Sequence, residues 1–176
     1  EYMAYMERKF RSKITAFEFR DKKEHTWESH VEEIAFGERT IYSRRYTNIF
    51  YSNNCLRRSC YECQYTNMDR VSDFTIADYW GIDDVAPEFN DQKGVSLLLL
   101  RGEKAVKFFK DIQEDLIVID TILSPPKHYN LKRPTSMPQT RTAFWNDYKK
   151  HGFGFVSRKY GRYDFVRRIK YKWIDK

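Results

Sequence analysis

The chain contains three cysteines, Cys55, Cys60 and Cys63, and all of them lie in one run of nine residues. Thiols with a purely structural role are not expected to crowd in this way in 176 residues. A metal or iron–sulfur centre, by contrast, needs several soft thiolate ligands from one tight loop. The run therefore predicts a ligand-bearing loop, yet three thiolates leave a tetrahedral zinc ion or a cubane cluster one ligand short.

The fourth ligand has two candidate sources. The chain opens without an initiator Met, and Tyr2, Met3, Met6 and Phe10 have the spacing of one face of a helix that is under way at residue 1. We therefore expect a fragment of a longer protein, with the fourth ligand in a preceding segment.

The second source is a histidine that completes a zinc site. The chain has four histidines: His25, His30, His128 and His151. None of them follows Cys63 at the short spacing of a zinc finger. Three reduced thiols without a metal, in a cytosolic loop, are a further interpretation that stays open.

Composition predicts a soluble globular protein. A chain of this length buries a proper core, and 17% aromatic residues supply large apolar side chains for it. No stretch approaches the ~18 consecutive apolar residues that span a bilayer. An odd cysteine count with CxxC spacing favours a reducing compartment, so we predict a cytoplasmic location.

The excess positive charge lies near the C-terminal end. From Ala143 onward there are ten Lys and Arg against three Asp, which matches the net charge of +7 of the whole chain. A basic, aromatic-rich segment can bind nucleic acid or an anionic membrane surface. It is also typical of terminal helices whose aromatic side chains pack inward. We expect the second arrangement, and no nucleic-acid partner, because no nucleic-acid-binding motif accompanies the charge.

The order of elements predicts an α+β fold. Alternating apolar and polar residues after the first helix predict strands, and Gly37 and Glu38 join two of them in an antiparallel meander. The predicted elements are strands over 13–20, 27–36, 40–46, 72–80 and 94–101, a helix over 103–116 and an edge strand over 117–119. The apolar run 94–101 suits a strand buried on both faces. We predict a mixed, largely antiparallel sheet with flanking helices and a cysteine-containing loop.

A domain boundary is expected near residue 123. Residues 1–123 carry the α+β pattern. Pro125, Pro126, Pro134 and Pro138 then mark an irregular connection. Residues 124–176 are accordingly predicted to form an extended connection and a basic, aromatic helical tail.

An ordered set of motifs extends on both sides of the cysteines. It comprises Phe19-Arg20-Asp21-Lys22 followed by Trp27, then Leu56-Arg57, Ser59-Cys60-Tyr61-Glu62-Cys63, the run 72–82, Ala86-Pro87-Glu88 and Lys93-Gly94-Val95-Ser96-Leu97. Over about residues 1–120 this set resembles the C-terminal domain of the beta subunits of coenzyme F-420 hydrogenase and dehydrogenase. The similarity is greatest to bacterial members found among polysaccharide biosynthesis genes. The ordered set is far more specific than a lone CxxC.

The resemblance implies a redox function. Family members are iron–sulfur flavoproteins, which implies a 4Fe-4S cluster and an FAD that exchange electrons with a deazaflavin or another soluble acceptor. Cys60 and Cys63 match cysteines of this domain, and Cys55 matches a position where some relatives have a cysteine. The family's N-terminal half should supply the remaining ligands. The full-length protein is thus expected to be an oxidoreductase, and this chain alone to be inactive.

The resemblance also implies cofactor contacts at the turn that holds Asp78, Trp80 and Gly81. From the residues alone, Asp78 is a turn-forming residue at a strand end, and Trp80 is a core side chain. Arg20 is a candidate for binding a cofactor phosphate, although Arg20-Asp21-Lys22 also has the pattern of an exposed ion pair.

A second class of function stays open. With a structural zinc, or without metal, the chain would be a binding or scaffold module whose basic tail contacts a polyanion. Ser59 has no general base beside it in the sequence, and the histidines form no patterned set. The sequence therefore indicates no hydrolase site.

Overall fold

The computed structural model describes residues 1–121 and 128–161, which form two compact units. Unit 1 combines Glu1–Arg58 with the described residues from Ser136 onward. Unit 2 comprises the described residues of Ser59–Thr135. The cysteine run is thereby divided, because Cys55 belongs to unit 1 whereas Cys60 and Cys63 belong to unit 2.

Helices and strands are interspersed along the described residues. In chain order they are α1 (Tyr2–Phe10), β1 (Ala16–Glu18), β2 (Glu32–Phe36), β3 (Arg39–Ser43), α2 (Arg45–Tyr51), α3 (Arg58–Tyr61), β4 (Phe74–Asp78), β5 (Ser96–Leu100), α4 (Gly102–Ile112) and α5 (Arg141–Lys159). Short 3-10 turns cover Ile82–Asp84, Pro87–Phe89, Gln113–Asp115 and Tyr129–Leu131. In the described parts of the chain the strands form one three-stranded and one two-stranded antiparallel sheet, which confirms the predicted α+β class.

In unit 1, β1, β2 and β3 form the predicted antiparallel meander. Ile34 lies opposite Phe17 on one side and Ile41 on the other. The hairpin between β2 and β3 turns at Gly37, whose φ of 66° lies in the left-handed region that glycine adopts without steric cost. Every second residue of β2 is buried, so one face of the sheet is directed to the core.

Helices from distant parts of the sequence complete the core of unit 1. The buried cluster consists of Tyr2, Met6, Ile34, Phe36, Ile49, Phe144, Phe153 and Val156. The last three belong to α5, so Phe144 and Phe153 pack inward as expected for the aromatic residues of this segment. The rest of the predicted basic tail, residues 162–176, lies outside the described residues.

The helix α5 is interrupted at Gly152. The φ and ψ angles there are 74° and −177°, a backbone conformation that is almost restricted to glycine. A Cβ atom at this position would meet no other atom within 4 Å. The requirement for glycine therefore comes from the backbone and not from packing.

Replacing Gly152 with asparagine is expected to lower the free energy of unfolding by about 1–3 kcal/mol, because the backbone would be strained. Gly37→Asn is the matched control. Gly37 also has a positive φ and open space around a Cβ, but its left-handed conformation tolerates asparagine. Urea unfolding monitored by circular dichroism measures both variants. Equal losses at the two positions would contradict the assigned backbone strain.

Unit 2 is built on the two-stranded sheet. β4 and β5 pair antiparallel, with Phe74 opposite Leu100 and Asp78 opposite Ser96. Phe108 of α4 contacts Phe74 edge-on, with 5.6 Å between the ring centroids. The buried cluster of this unit consists of Tyr79, Ile82, Ala86, Leu97 and Leu131. Most of this core therefore comes from the residues that follow β4.

Two expectations for unit 2 are wrong. β5 is not buried on both faces, since Leu97 is its one buried residue. Residues 117–119 do not form an edge strand, and their side chains are 89%, 50% and 41% exposed. Both errors have one cause. An apolar run shows that burial of its side chains is favourable, but it does not show how many layers of secondary structure are present to cover them.

The expected irregular connection over 124–138 is described from residue 128 onward. It contains the 3-10 turn Tyr129–Leu131 and otherwise lacks helix and strand up to residue 138, while residues 122–127 lie outside the described part. None of the helices in the described ranges is both long enough and apolar enough to cross a membrane.

Candidate functional site

Cys60 lies on α3, which is a single helical turn. Cys63 follows shortly after the end of this helix. Both side chains are half-buried, and neither forms a disulfide. The carbonyl oxygen of Cys63 accepts hydrogen bonds from the Thr66 hydroxyl at 2.8 Å and from the Thr66 backbone N–H at 3.4 Å. Tyr61, between the two cysteines, is buried. The CxxC segment is thus anchored by a buried ring and a closed turn while its thiols stay partly accessible.

Cys55 has a different environment, in unit 1. Its thiol donates a hydrogen bond to the carbonyl of Ile49 at 3.7 Å, and its side chain packs against the apolar core of that unit. Burial raises the pKa of the Cys55 thiol, and the nearby Arg141 charge opposes this shift without reversing it. A metal ion would therefore have to displace a proton that the environment retains.

A complete metal site is not present in the described part of the chain, where no three His, Cys, Asp or Glu side chains are grouped so as to hold an ion. The pair Cys60 and Cys63 supplies the right chemistry for an iron–sulfur cluster, namely soft sulfur ligands at CxxC spacing. It supplies half of the four ligands that such a cluster needs. The donor set fits the cluster if further ligands come from another segment.

The histidines do not provide a third ligand beside Cys60 and Cys63 within the described ranges. Each has a neighbour of another kind: His25 contacts Asp21, His30 contacts Tyr51, His128 packs against Tyr79 and His151 packs against Phe155. A zinc site completed by a histidine of this chain is therefore not formed among the described residues.

The predicted flavin residues are brought together by the turn after β4. Asp78 is the last residue of the strand, and its carbonyl accepts a hydrogen bond from the Trp80 N–H at 3.1 Å. Gly81 has a φ of 89°, a left-handed conformation that closes the turn before Ile82–Asp84. Asp78 is exposed, and Trp80 and Gly81 are half-buried. This turn belongs to unit 2, as do Cys60 and Cys63.

Arg20 lies in unit 1, so the structure does not bring it into the same unit as the other predicted cofactor residues. The pattern around it is also not an exposed ion pair, because Asp21 is fully buried. Asp21 accepts hydrogen bonds from the His25 Nδ1–H at 2.7 Å and from the backbone N–H groups of Lys23 and Glu24 at 3.0 and 3.2 Å. The carboxylate stabilises a turn. The alternating charges of Arg20, Asp21 and Lys22 in the sequence do not predict this role.

Asp21 is expected to contribute stability that depends on pH. Burial alone would raise the pKa of Asp21, but the hydrogen bonds from His25 and the backbone hold it below its usual range. Its stabilising contribution is therefore present above about pH 4 and is lost as pH falls through the depressed pKa. Asp21→Asn should lower the free energy of unfolding by about 1–3 kcal/mol at pH 7.

The difference between wild type and Asp21→Asn should shrink as the pH of urea unfolding is lowered from 7 to 3. Asp115→Asn is the matched control, since Asp115 is exposed and should show little effect at either pH. A difference that stays constant over this range would show that the ionised carboxylate is not the stabilising form.

Sequence reasoning missed a second buried carboxylate, Glu32. It lies on β2 and is fully buried, together with Ile34 and Phe36 on the same face of the strand. The signal was available, because residues two apart on a strand share a face, and the neighbours of Glu32 on its face are apolar.

The comparison with protein families matches residues 2–122 to the model of the C terminus of the coenzyme F420 hydrogenase/dehydrogenase beta subunit. The match covers more than half of the chain. The chain belongs to this family. Neither the curated proteins nor the solved structures include a match. The resemblance to the C-terminal domain of this family, inferred from the motifs, is thus confirmed.

The region that matches the F420 hydrogenase/dehydrogenase family contains every predicted site residue: Arg20, Cys55, Cys60, Cys63, Asp78, Trp80 and Gly81. It ends before α5, although Phe144, Phe153 and Val156 of that helix belong to the core of unit 1. In this member of the family, a helix outside the matched region therefore helps to form the fold of the matched part.

Proposed function

We propose that this domain provides Cys60 and Cys63 as ligands of a 4Fe-4S cluster in an electron-transferring oxidoreductase. The observation that supports it is a pair of half-buried thiols, free of disulfide bonds, at CxxC spacing in a member of the F420 hydrogenase/dehydrogenase beta-subunit family. The Thr66 hydrogen bonds to the Cys63 carbonyl fix the backbone from which one thiol projects. The remaining ligands are proposed to come from the N-terminal half of the same beta subunit.

The turn Asp78–Gly81 is the proposed flavin contact. Gly81 lacks a side chain and has a left-handed backbone, so a ring or phosphate can approach the main chain closely there. Trp80 is half-buried and offers an aromatic face beside it. FAD bound at such a turn would supply the conversion between single-electron and hydride chemistry. Arg20 is retained as a candidate ligand of a cofactor phosphate.

Cys55 is retained as a candidate third ligand, although its thiol would first have to give up its present hydrogen bond and its proton. Its thiol would have to leave the Ile49 carbonyl and lose a proton that burial retains. Cys60 and Cys63 face no comparable competing hydrogen bond among the contacts that the structure gives them. We therefore expect Cys55 to matter less for the cluster than the CxxC pair.

The proposed partner is a soluble electron carrier, a deazaflavin or another acceptor, in the reducing cytoplasm, where thiols of this kind persist. The full-length beta subunit is proposed to be the active oxidoreductase, since the described residues of this chain supply only part of the ligand set.

Metal analysis of the full-length protein, purified without oxygen, tests this proposal. About four iron atoms with equivalent acid-labile sulfide per protein, together with flavin, are the expected result. One zinc ion per protein would instead support a structural zinc site. A protein without metal or flavin would identify the domain as a binding or scaffold module.

A further inference from the structure

A cleft of about 180 Å³ opens beside β5 in unit 2. Four residues of β5 line it: Ser96, Leu97, Leu98 and Leu100. Successive side chains of a strand point to opposite faces of the sheet, so a cleft that is lined by both Leu97 and Leu98 lies at an edge of the strand. β4 supplies none of the described walls. The cleft therefore lies at the edge of β5 that is not paired with β4.

The backbone of β5 has unpaired hydrogen-bonding groups at this edge. Directly beyond the paired residues of the two strands, the Tyr79 N–H donates a hydrogen bond to the Val95 carbonyl at 2.8 Å. In an antiparallel ladder, hydrogen-bonded pairs recur at every second residue, and the residues between them direct both backbone groups away from the partner strand. With the observed register, these residues of β5 are Ser96, Leu98 and Leu100. Their N–H and C=O groups form no hydrogen bonds among the described residues.

The other walls of the cleft are mostly apolar. They include the exposed residues 117–119 and the rings of Tyr79, Phe89 and Phe109. The hydroxyl groups of Tyr79 and Thr121 form a hydrogen bond at 2.7 Å, which attaches the end of the run 117–121 to the residues that follow β4. Asp120 is the one charged side chain among the described walls. The volume lies below the ~300–1,000 Å³ that is usual for small-molecule sites, so the cleft suits an apolar group narrower than a flavin.

We propose that this cleft binds an extended, apolar strand from the region that precedes this chain in the beta subunit. The added strand pairs with β5 and becomes the third strand of the sheet. Unpaired N–H and C=O groups along a strand edge are the groups that another strand satisfies, and its side chains pack against the apolar walls. A sheet of two strands is only marginally stable, so a third strand also stabilises unit 2.

The small size of the cleft indicates that its occupant belongs to the same polypeptide. Three residues of strand edge bury much less than the ~1,000 Å² that a stable complex between separate proteins needs. A segment joined to this chain by a short linker has an effective concentration of about 1 mM or more, so it pairs without a large interface. The inference rests on the proposed function, in which the same preceding region supplies ligands beside Cys60 and Cys63 of unit 2.

Amide hydrogen exchange of the full-length beta subunit, resolved by residue, tests the proposal. We expect the N–H groups of Ser96, Leu98 and Leu100 to be protected to the same degree as those of Leu97 and Leu99, which pair with β4. In the 176-residue chain alone, the first three should exchange at least about 10-fold faster, while Leu97 and Leu99 stay protected. Fast exchange of Leu98 and Leu100 in the full-length protein would overturn the proposal. Equal protection in the shorter chain, or protection that rises with protein concentration as a second copy would cause, would also overturn it.

Leu98→Pro and Ile76→Pro in the full-length protein are matched variants. The two residues lie directly opposite each other, and both N–H groups point away from the ladder between β4 and β5. Proline removes the N–H group and is tolerated at a sheet edge. Leu98→Pro should speed exchange at Ser96 and Leu100 by about 10-fold or more, because the added strand loses its pairing, and Ile76→Pro should not. Equal effects of the two variants would show that no strand is bound at the β5 edge.

Iron content measured on the same samples separates this inference from the proposed cluster. Four irons in a protein whose β5 edge exchanges fast would contradict the added strand and leave the cluster in place. A protected β5 edge in a protein without iron would support the added strand and contradict the cluster.

Discussion

Replacing Glu32 with alanine is expected to lower the free energy of unfolding by about 3 kcal/mol, because two donors in the core of unit 1 would lose their acceptor. Glu32 is fully buried on β2. Its Oε1 accepts a hydrogen bond from the backbone N–H of Thr47 at 2.8 Å, and its Oε2 accepts one from the Tyr2 hydroxyl at 3.1 Å. The carboxyl group thereby connects β2 with α1 and α2, and no water can replace it without entering the core.

Glu32→Gln is the matched control. Its amide has nearly the same shape and can accept the Thr47 N–H, so the loss should be below about 1 kcal/mol at pH 7. Burial raises the pKa of Glu32, which means that folding disfavours the ionised carboxylate relative to the protonated acid. Wild-type stability at this site should therefore be greatest below about pH 4 and should fall as pH rises through the raised pKa, whereas Glu32→Gln lacks this dependence.

Urea unfolding of wild type and both variants between pH 4 and pH 8 measures these effects. If Glu32→Gln is as unstable as Glu32→Ala at every pH, the side-chain hydrogen bonds do not have the role assigned to them. The attachment of α1 to the sheet would then depend on other contacts than the one from Tyr2 to Glu32.

Replacing Cys60 or Cys63 with serine in the full-length beta subunit is expected to abolish or nearly abolish cluster binding. Serine is close to cysteine in size, so the fold of α3 should be retained. Its hydroxyl oxygen is a poor substitute for the soft thiolate that an iron–sulfur cluster requires. Iron and sulfide content per protein, measured with circular dichroism as a check of the fold, gives the result.

Cys55→Ser is the comparison that the structure offers. The Cys55 thiol donates its hydrogen bond to Ile49, and burial raises its pKa, so we expect this variant to keep most of its iron. Equal iron loss for all three variants would establish Cys55 as a ligand of equal importance. Full iron retention in both Cys60→Ser and Cys63→Ser would contradict the assignment of the CxxC pair.

The parts of the fold that depend on local signals could be predicted from the sequence. The meander of β1, β2 and β3 follows from alternating residues and a turn at Gly37. For α5, the sequence predicted only that aromatic side chains face inward. It did not predict that they pack into the core of unit 1. Its partners in α1 and β2 lie more than a hundred residues away in sequence, and no local pattern specifies such a contact.

For the candidate site, too, the sequence predicts local features and not the contacts between distant segments. The CxxC spacing of Cys60 and Cys63 is a local property and can be read from the sequence. The assignment of Cys55 to the other compact unit cannot be read from it, because a run of nine residues that passes from one unit to the next is continuous in the sequence. Asp21 also looked like half of an exposed pair, since its burial depends on the turn that it organises with His25.

An oxygen-free visible absorption spectrum of the full-length protein, recorded before and after reduction with dithionite, tests whether this domain holds a redox cluster. We expect the broad absorption of a 4Fe-4S cluster together with flavin bands, both bleached on reduction, and loss of the cluster absorption in Cys60→Ser. A colourless wild-type protein, or one whose spectrum is unchanged in Cys60→Ser and Cys63→Ser, would contradict the claim that this domain holds a redox cluster.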